Sequence, residues 1–191
     1  RKGSNSFEAL NEPIILDGPY SNSAFDIVCK NDKVYMIIGG KDLLNGKRFD
    51  KGGYILTYDY DKWSFIDPKE AQKKLNLPRN PRDYTSIAVT TDDSNDEIVY
   101  ASSMGDGVIQ YKNGTPVQSY NEKNAFKETA GGYGSGYCYI DGLAFDKNGN
   151  LWMTSSEVNH AVLVLDKAGA WHRLDIEQLR GVYTINDILI T

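Results

Sequence analysis

An all-β fold of repeated four-stranded antiparallel units is what this sequence predicts, and three observations carry it. Tyr, Val and Ile are abundant beside 18 Gly, and Tyr alone accounts for 13 residues, a composition of strands and turns. Short apolar runs alternate with turn-forming clusters along the chain. Two such blocks match element for element: Ile87 aligns with Leu143, Val99 with Leu151, Ile109 with Leu163 and Gly114 with Gly169.

The elements follow in order. Residues 12–19, E-P-I-I-L-D-G-P, read as the outer strand of a preceding unit. A first copy begins with F-D-I-V-C-K at 25–30, turns at N-D-K and returns as V-Y-M-I-I-G. After an insert, Y-I-L-T-Y-D and K-W-S-F-I-D supply its other two strands. Asp67-Pro68 then opens a short helix, P-K-E-A-Q-K-K-L, as N-cap and first-turn residue. The second copy runs Y-T-S-I-A-V-T-T, E-I-V-Y-A-S-S, V-I-Q-Y-K and T-P-V-Q-S-Y. The third runs I-D-G-L-A-F-D, L-W-M-T-S-S, A-V-L-V-L-D and W-H-R-L-D. A second short helix is expected at 175–180, D-I-E-Q-L-R. The ending Y-T-I-N-D-I-L-I-T sets Ile188 opposite Leu143 and reads as the first strand of a fourth copy.

A repeat of roughly 45–56 residues with four strands each is the pattern of propeller blades. The expectation is a single partial β-propeller domain spanning 1–191, with blades at about 24–67, 83–121 and 139–175 and the next starting at 183–191. A ring needs at least about four blades, so the chain reads as a piece of a larger protein. Its open blade edges would favour self-association.

Residues 146–157 resemble a calcium loop, with oxygens at Asp146, Asn148, Asn150, Thr154 and Glu157. Position six of such a loop needs Gly, and Leu151 stands there. Asn148-Gly149 is instead the reversal of a hairpin, so no metal is expected. Cys29 and Cys138 have no C-x-x-C partner and read as two buried free thiols, bridged only if the fold joins them.

Function is bounded by exclusion. The formal charge of −5 argues against a nucleic-acid binder. No apolar run reaches the roughly 18 residues of a membrane span. The chain begins at Arg1, so any targeting signal lies outside it. His160 and His172 lack metal spacing and no nucleophile elbow is present. No enzyme activity and no cofactor are expected.

Turns between first and second and between third and fourth strands are short. The loops at the other end, 40–53, 67–83, 121–138 and 175–185, are long in places. Binding tends to reside in elaborated loops on a rigid scaffold. Loops 40–53 and 68–83 carry nine cations, among them Lys41, Lys47, Arg48, Arg79 and Arg82, against four carboxylates. They point to an anionic ligand or partner. Tyr133 and Tyr137 in G-G-Y-G-S-G-Y, and His160 in a further long-end loop, complete the candidate contact set.

The phrase I-D-G-L-A-F-D-K-N-G-N-L-W-M-T-S-S-E-V-N-H-A-V-L-V-L-D-K-A-G-A-W is specific. With I-L-D-G-P-Y-S-N-S-A-F-D-I-V, V-Y-M-I-I-G-G and G-G-Y-I-L-T-Y-D-Y-D-K-W, it resembles the propeller region of PorZ-type surface proteins of the Bacteroidetes type IX secretion system. The resemblance implies a non-enzymatic binding or scaffold module at the cell surface or in the periplasm. It would engage glycan, anionic lipopolysaccharide or secretion-system surface proteins through the long-loop face. F-D-K-N-G-N-L-W is also similar, more loosely, to sensor propellers of hybrid two-component regulators. That resemblance implies periplasmic ligand sensing instead.

Overall fold

The structure is a computed structural model in which residues 18–126 and 136–191 are described. Most of the expected outer strand at 12–19 lies outside them. Three four-stranded units follow one another. Unit 1 holds β1 (Ala24–Lys30), β2 (Lys33–Ile38), β3 (Ile55–Asp59) and β4 (Lys62–Ile66). Unit 2 holds β5 (Tyr84–Thr91), β6 (Glu97–Gly105), β7 (Gly107–Lys112) and β8 (Thr115–Tyr120). Unit 3 holds β9 (Cys138–Phe145), β10 (Leu151–Ser155), β11 (Val162–Leu165) and β12 (Trp171–Leu174).

Within each unit every strand pairs antiparallel with the next. The turns account for that register. Asn31 and Asp32 at φ 51° and 59°, and Asn113 and Gly114 at φ 48° and 73°, adopt the left-handed pairs of tight hairpins. Unit 1 is a sheet of its own. Units 2 and 3 share a curled eight-stranded sheet, joined where Met104 pairs with Tyr139 and Gly105 with Cys138.

Unit 2 is buried on both faces. Val99 and Ala101 of β6 pack with Tyr35, Ile37 and Ile55 of unit 1. Ile98 and Tyr100, one step along the pleat, pack with Ile140, Leu143, Leu151 and Leu163 of unit 3. β7 divides in the same way: Ile109 and Tyr111 face unit 1, and Val108 faces unit 3. Alternate residues of a strand point to opposite faces, so two apolar faces produce the continuous apolar run I-V-Y-A.

First strands of successive units are also linked edge to edge. The Asp26 carboxylate accepts from Ile87 N–H at 3.1 Å and from Ser86 Oγ at 3.2 Å. Ser86 Oγ in turn accepts from Leu143 N–H at 3.2 Å. Gly142 occupies the same place in unit 3, and a Cβ there would meet Ile188 N at 2.6 Å. The chain end is therefore seated beside β9. It does not form the strand expected at 183–191, because no described strand pairs with it.

α1 (Pro68–Leu75) forms where the sequence predicts. Asp67 caps it by accepting from Lys69 N–H at 2.9 Å, and left-handed Asn76 ends it. The helix expected at 175–180 is reduced to a 3-10 turn at Glu177–Leu179. Six residues are too few to sustain a helix unaided. Ile176 provides no cap, and the Asp175 carboxylate is occupied by Arg180.

The Asp146 turn is a closed hydrogen-bond system. Its carboxylate accepts from Trp152 Nε1 at 3.0 Å, from Asn150 Nδ2 at 2.8 Å and from the amides of Asn148 and Asn150 at 2.9 Å. These donors, Trp152 foremost, hold the carboxyl down at about 2. Thr154 Oγ1 is taken by Gly142 N–H at 2.8 Å. Both cysteines are free. Cys138 is buried but Cys29 is exposed, contrary to its apolar context; it sits in β1, where Ala24, Ile27 and Lys30 are exposed as well.

Asp26→Ala leaves the Ile87 amide without its acceptor and is expected to cost about 1–3 kcal/mol in urea unfolding. Gly142→Ala drives a methyl into the backbone of residues 187–188. Faster amide exchange confined to 183–191 is the expected result.

Candidate functional site

The long-loop end is knotted by ion pairs between units. Loop 39–54 leaves unit 1 and reaches unit 3. Lys41, 1% exposed, donates to Asp141 of β9 and to Thr184 Oγ1 at 3.0 Å. Its ammonium also lies 4.8 Å from the centre of the Tyr139 ring. Asp141 accepts a second bond from Ser156 Oγ, which itself accepts from Ile185 N–H at 2.8 Å. Burial pushes the Asp141 carboxyl up to about 6, with Lys41 and Ser156 pulling the other way.

A second knot centres on Asp83, fully buried just before β5. It accepts from Arg48 Nε at 2.9 Å and from Lys51 N–H at 2.9 Å. Its own N–H donates to Lys51 O, and its carbonyl accepts from Met104 N–H. Arg48 also reaches Asp50 at 3.2 Å. A third knot is Asp106, the single residue between β6 and β7. Arg79 approaches it at 2.7 Å, and Arg82 donates its backbone N–H at 3.2 Å.

The sequence-based candidates therefore separate. Lys41 does not face solvent, since a buried ammonium is stable only against its carboxylate. Arg48 is mostly occupied by Asp83. Lys47 is exposed. Arg79 and Arg82 are half exposed, with side chains 49% and 48% accessible. His160 is partly buried in the β10–β11 loop, near enough to Asp175 to hold that carboxyl below its usual range after Arg180. Tyr133 lies outside the described residues. Asp83 stood in the loop tally without its partner being evident, while Asp106 and Asp141 escaped it because they belong to a one-residue loop and to a first strand. An isolated Asp just before or within a first strand, as in D-Y-T-S-I and D-G-L-A, is the available signal.

Two candidates meet in one cavity. Arg79 and Tyr137 line a space of about 450 Å³ together with Leu77, Pro78, Asp106 and Glu122. Burial raises the Tyr137 hydroxyl above its ordinary value, so it is a neutral hydrogen-bonding group. The lining combines one aromatic ring, apolar walls and balanced charge, with Arg79 and Lys123 opposite Asp106 and Glu122. Such a site binds by stacking and hydrogen bonding. Among the described residues, no group of three or more His, Cys, Asp or Glu could hold a metal. No helix among them is long and apolar enough to cross a membrane.

No protein-family model and no curated protein matches the chain. Among solved structures, PorZ, an essential surface component of the type-IX secretion system of Porphyromonas gingivalis, matches with a TM-score of 0.75 at 22% identity. The fold is PorZ-like. The match covers 94% of this chain and 23% of the PorZ chain, so the sequence spans less than a quarter of that protein. An α-L-arabinofuranosidase from Clostridium thermocellum matches at a TM-score of 0.39 and 12% identity, over 78% of this chain and 55% of that one, too distant for argument.

Asp141→Ala strands Lys41 as a buried unpaired cation, and a loss of about 3–5 kcal/mol in urea unfolding is expected. Lys41→Met with Asp141→Leu restores packing and is expected to recover most of it. Asp141 has a folded value of about 6, above its ordinary 3.8. The folded state thus holds this proton more tightly, and the contribution favours folding at low pH. It is withdrawn as pH rises from about 4 through 6, so the parent protein should lose stability relative to the double variant across that window.

Proposed function

We propose that the three units are consecutive blades of a β-propeller. The burial of unit 2 on both faces supports this reading, as do the linked first strands. The seating of residues 187–188 beside β9 and the likeness to PorZ add to it. On this reading the chain is a non-enzymatic binding and scaffold module of an exported protein at the bacterial surface or in the periplasm. Its long-loop end engages an anionic glycan such as lipopolysaccharide, or a protein of a secretion system.

One observation carries the binding reading. Arg79 and Tyr137, separated in sequence, converge on the same cavity at the elaborated end. Arg79 retains half of its surface despite its partner Asp106. An anionic sugar can displace that weak exposed pair, because surface ion pairs are individually worth little. The ring of Tyr137 then offers a face for stacking. Arg48 and Lys41 serve instead to hold the loop.

Arg79→Ala combined with Tyr137→Ala should weaken binding to an anionic lipopolysaccharide by about tenfold, or about 1.4 kcal/mol, at low salt. Surface plasmon resonance on immobilised lipopolysaccharide reads the change. Equal affinity for parent and variant would remove this cavity from the binding reading.

A further inference from the structure

A second cavity opens at the opposite, short-turn end, between units 2 and 3. It has a volume of about 660 Å³. Its deep wall is apolar: Ile98, Tyr100, Leu151 and Leu165, all buried, with Phe145 beside them. The ring of Tyr100 stacks on that of Tyr120 with centroids 6.4 Å apart, and the Tyr120 hydroxyl donates to Gln110 Oε1 at 2.9 Å. The rim is polar and electrically balanced, with Lys112, Lys147 and Lys167 against Asp92, Asp93 and Asp166.

At the junction between units 1 and 2 the corresponding space is smaller, about 460 Å³, and is lined by Lys33 and Glu97. There Glu97 accepts from Lys33 at 2.8 Å and from the Tyr35 hydroxyl, bridging the two units. Val99 aligns with Leu151 in the repeat, so the counterpart of Glu97 is Gly149, which lines the open cleft. Gly149 has no side chain with which to form the bridge that Glu97 makes. One pair spans the mouth, Lys167 to Asp93 at 3.0 Å, with side chains 67% and 88% exposed. Such a pair is weak and parts readily.

We infer that this cleft is a docking site for an extended segment of a protein partner, which inserts one large apolar side chain between units 2 and 3. Leu, Ile and aromatic walls match an aliphatic or aromatic anchor, as at the centres of protein interfaces. A sugar ring in the same place would leave hydroxyls facing leucine and isoleucine without partners. The balanced rim suits the neutral dipoles of a peptide backbone better than a polyanion. The site lies at the other end of the units from Arg79 and Tyr137, so it stands or falls separately from the function proposed above.

The test is an NMR titration with N-acetyl-phenylalaninamide and N-acetyl-leucinamide, against methyl β-glucoside and glucuronate. The amino-acid amides should give saturable shifts at Gln110, Tyr120, Phe145 and Gly149. Gln110→Trp, which fills the cleft, should abolish them, and Asn148→Trp, on an exposed turn at the mouth, should do so without touching a strand. Arg79→Ala should leave them unchanged. Absence of saturation by both amides, preferential saturation by either sugar, or persistence of the shifts in correctly folded tryptophan variants would overturn the inference.

Discussion

A β-sheet that is apolar on both faces has no stable existence in water, and unit 2 is such a sheet. Its strands β5, β6 and β7 each send residues into two separate cores. The positions of units 1 and 3 follow from that requirement, because a layer packed on each side removes both faces from solvent. Unit 2 gains the burial and the flanking units gain one core each. The rest of the molecule, including both cavities, is arranged along these two junctions.

Edge-to-edge links then set how the units are aligned. An apolar junction is tolerant of sliding, because area burial has no direction. Hydrogen bonds from Ile87 to Asp26 and from Leu143 to Ser86 have direction, and they occur at one level of the first strands. Gly142 continues the series by yielding space: its missing side chain lets the backbone of residues 187–188 lie against β9. Polar, small and absent side chains at one repeated position thus do related work.

Much of this was legible in the sequence. The strands and hairpins were, because period, β-branched residues and turn pairs such as Asn113-Gly114 act locally. The N-cap of α1 was visible in two adjacent letters. The short helix at 175–180 was misread because composition says nothing about whether a cap will be left free. Exposure of Cys29 depends on what lies over β1, which the strand's own letters do not encode. The pairing of the charges at the long-loop end was the least legible part. Counting charges within loops omits Asp141, which arrives from a strand, and does not reveal pairing: Arg48 with Asp83 and Lys41 with Asp141 are 35 and 100 residues apart.

Those pairs invite a stability explanation, yet the energetics point elsewhere. Bringing Lys41 and Asp141 out of water costs several kcal/mol per ion, and their attraction roughly returns it. The pair therefore adds little net stability compared with leucine and methionine in its place. What it does impose is uniqueness. Misplacing loop 39–54 by one position would bury an ammonium away from its carboxylate, a far larger penalty than any apolar mismatch. Because Thr184 and, through Ser156, Ile185 share the same cluster, that penalty also fixes the chain end against β9. Arg79 and Tyr137 can face a defined cavity only if the elements around them hold one arrangement. The buried charges supply that arrangement, and the exposed ones remain available for contact.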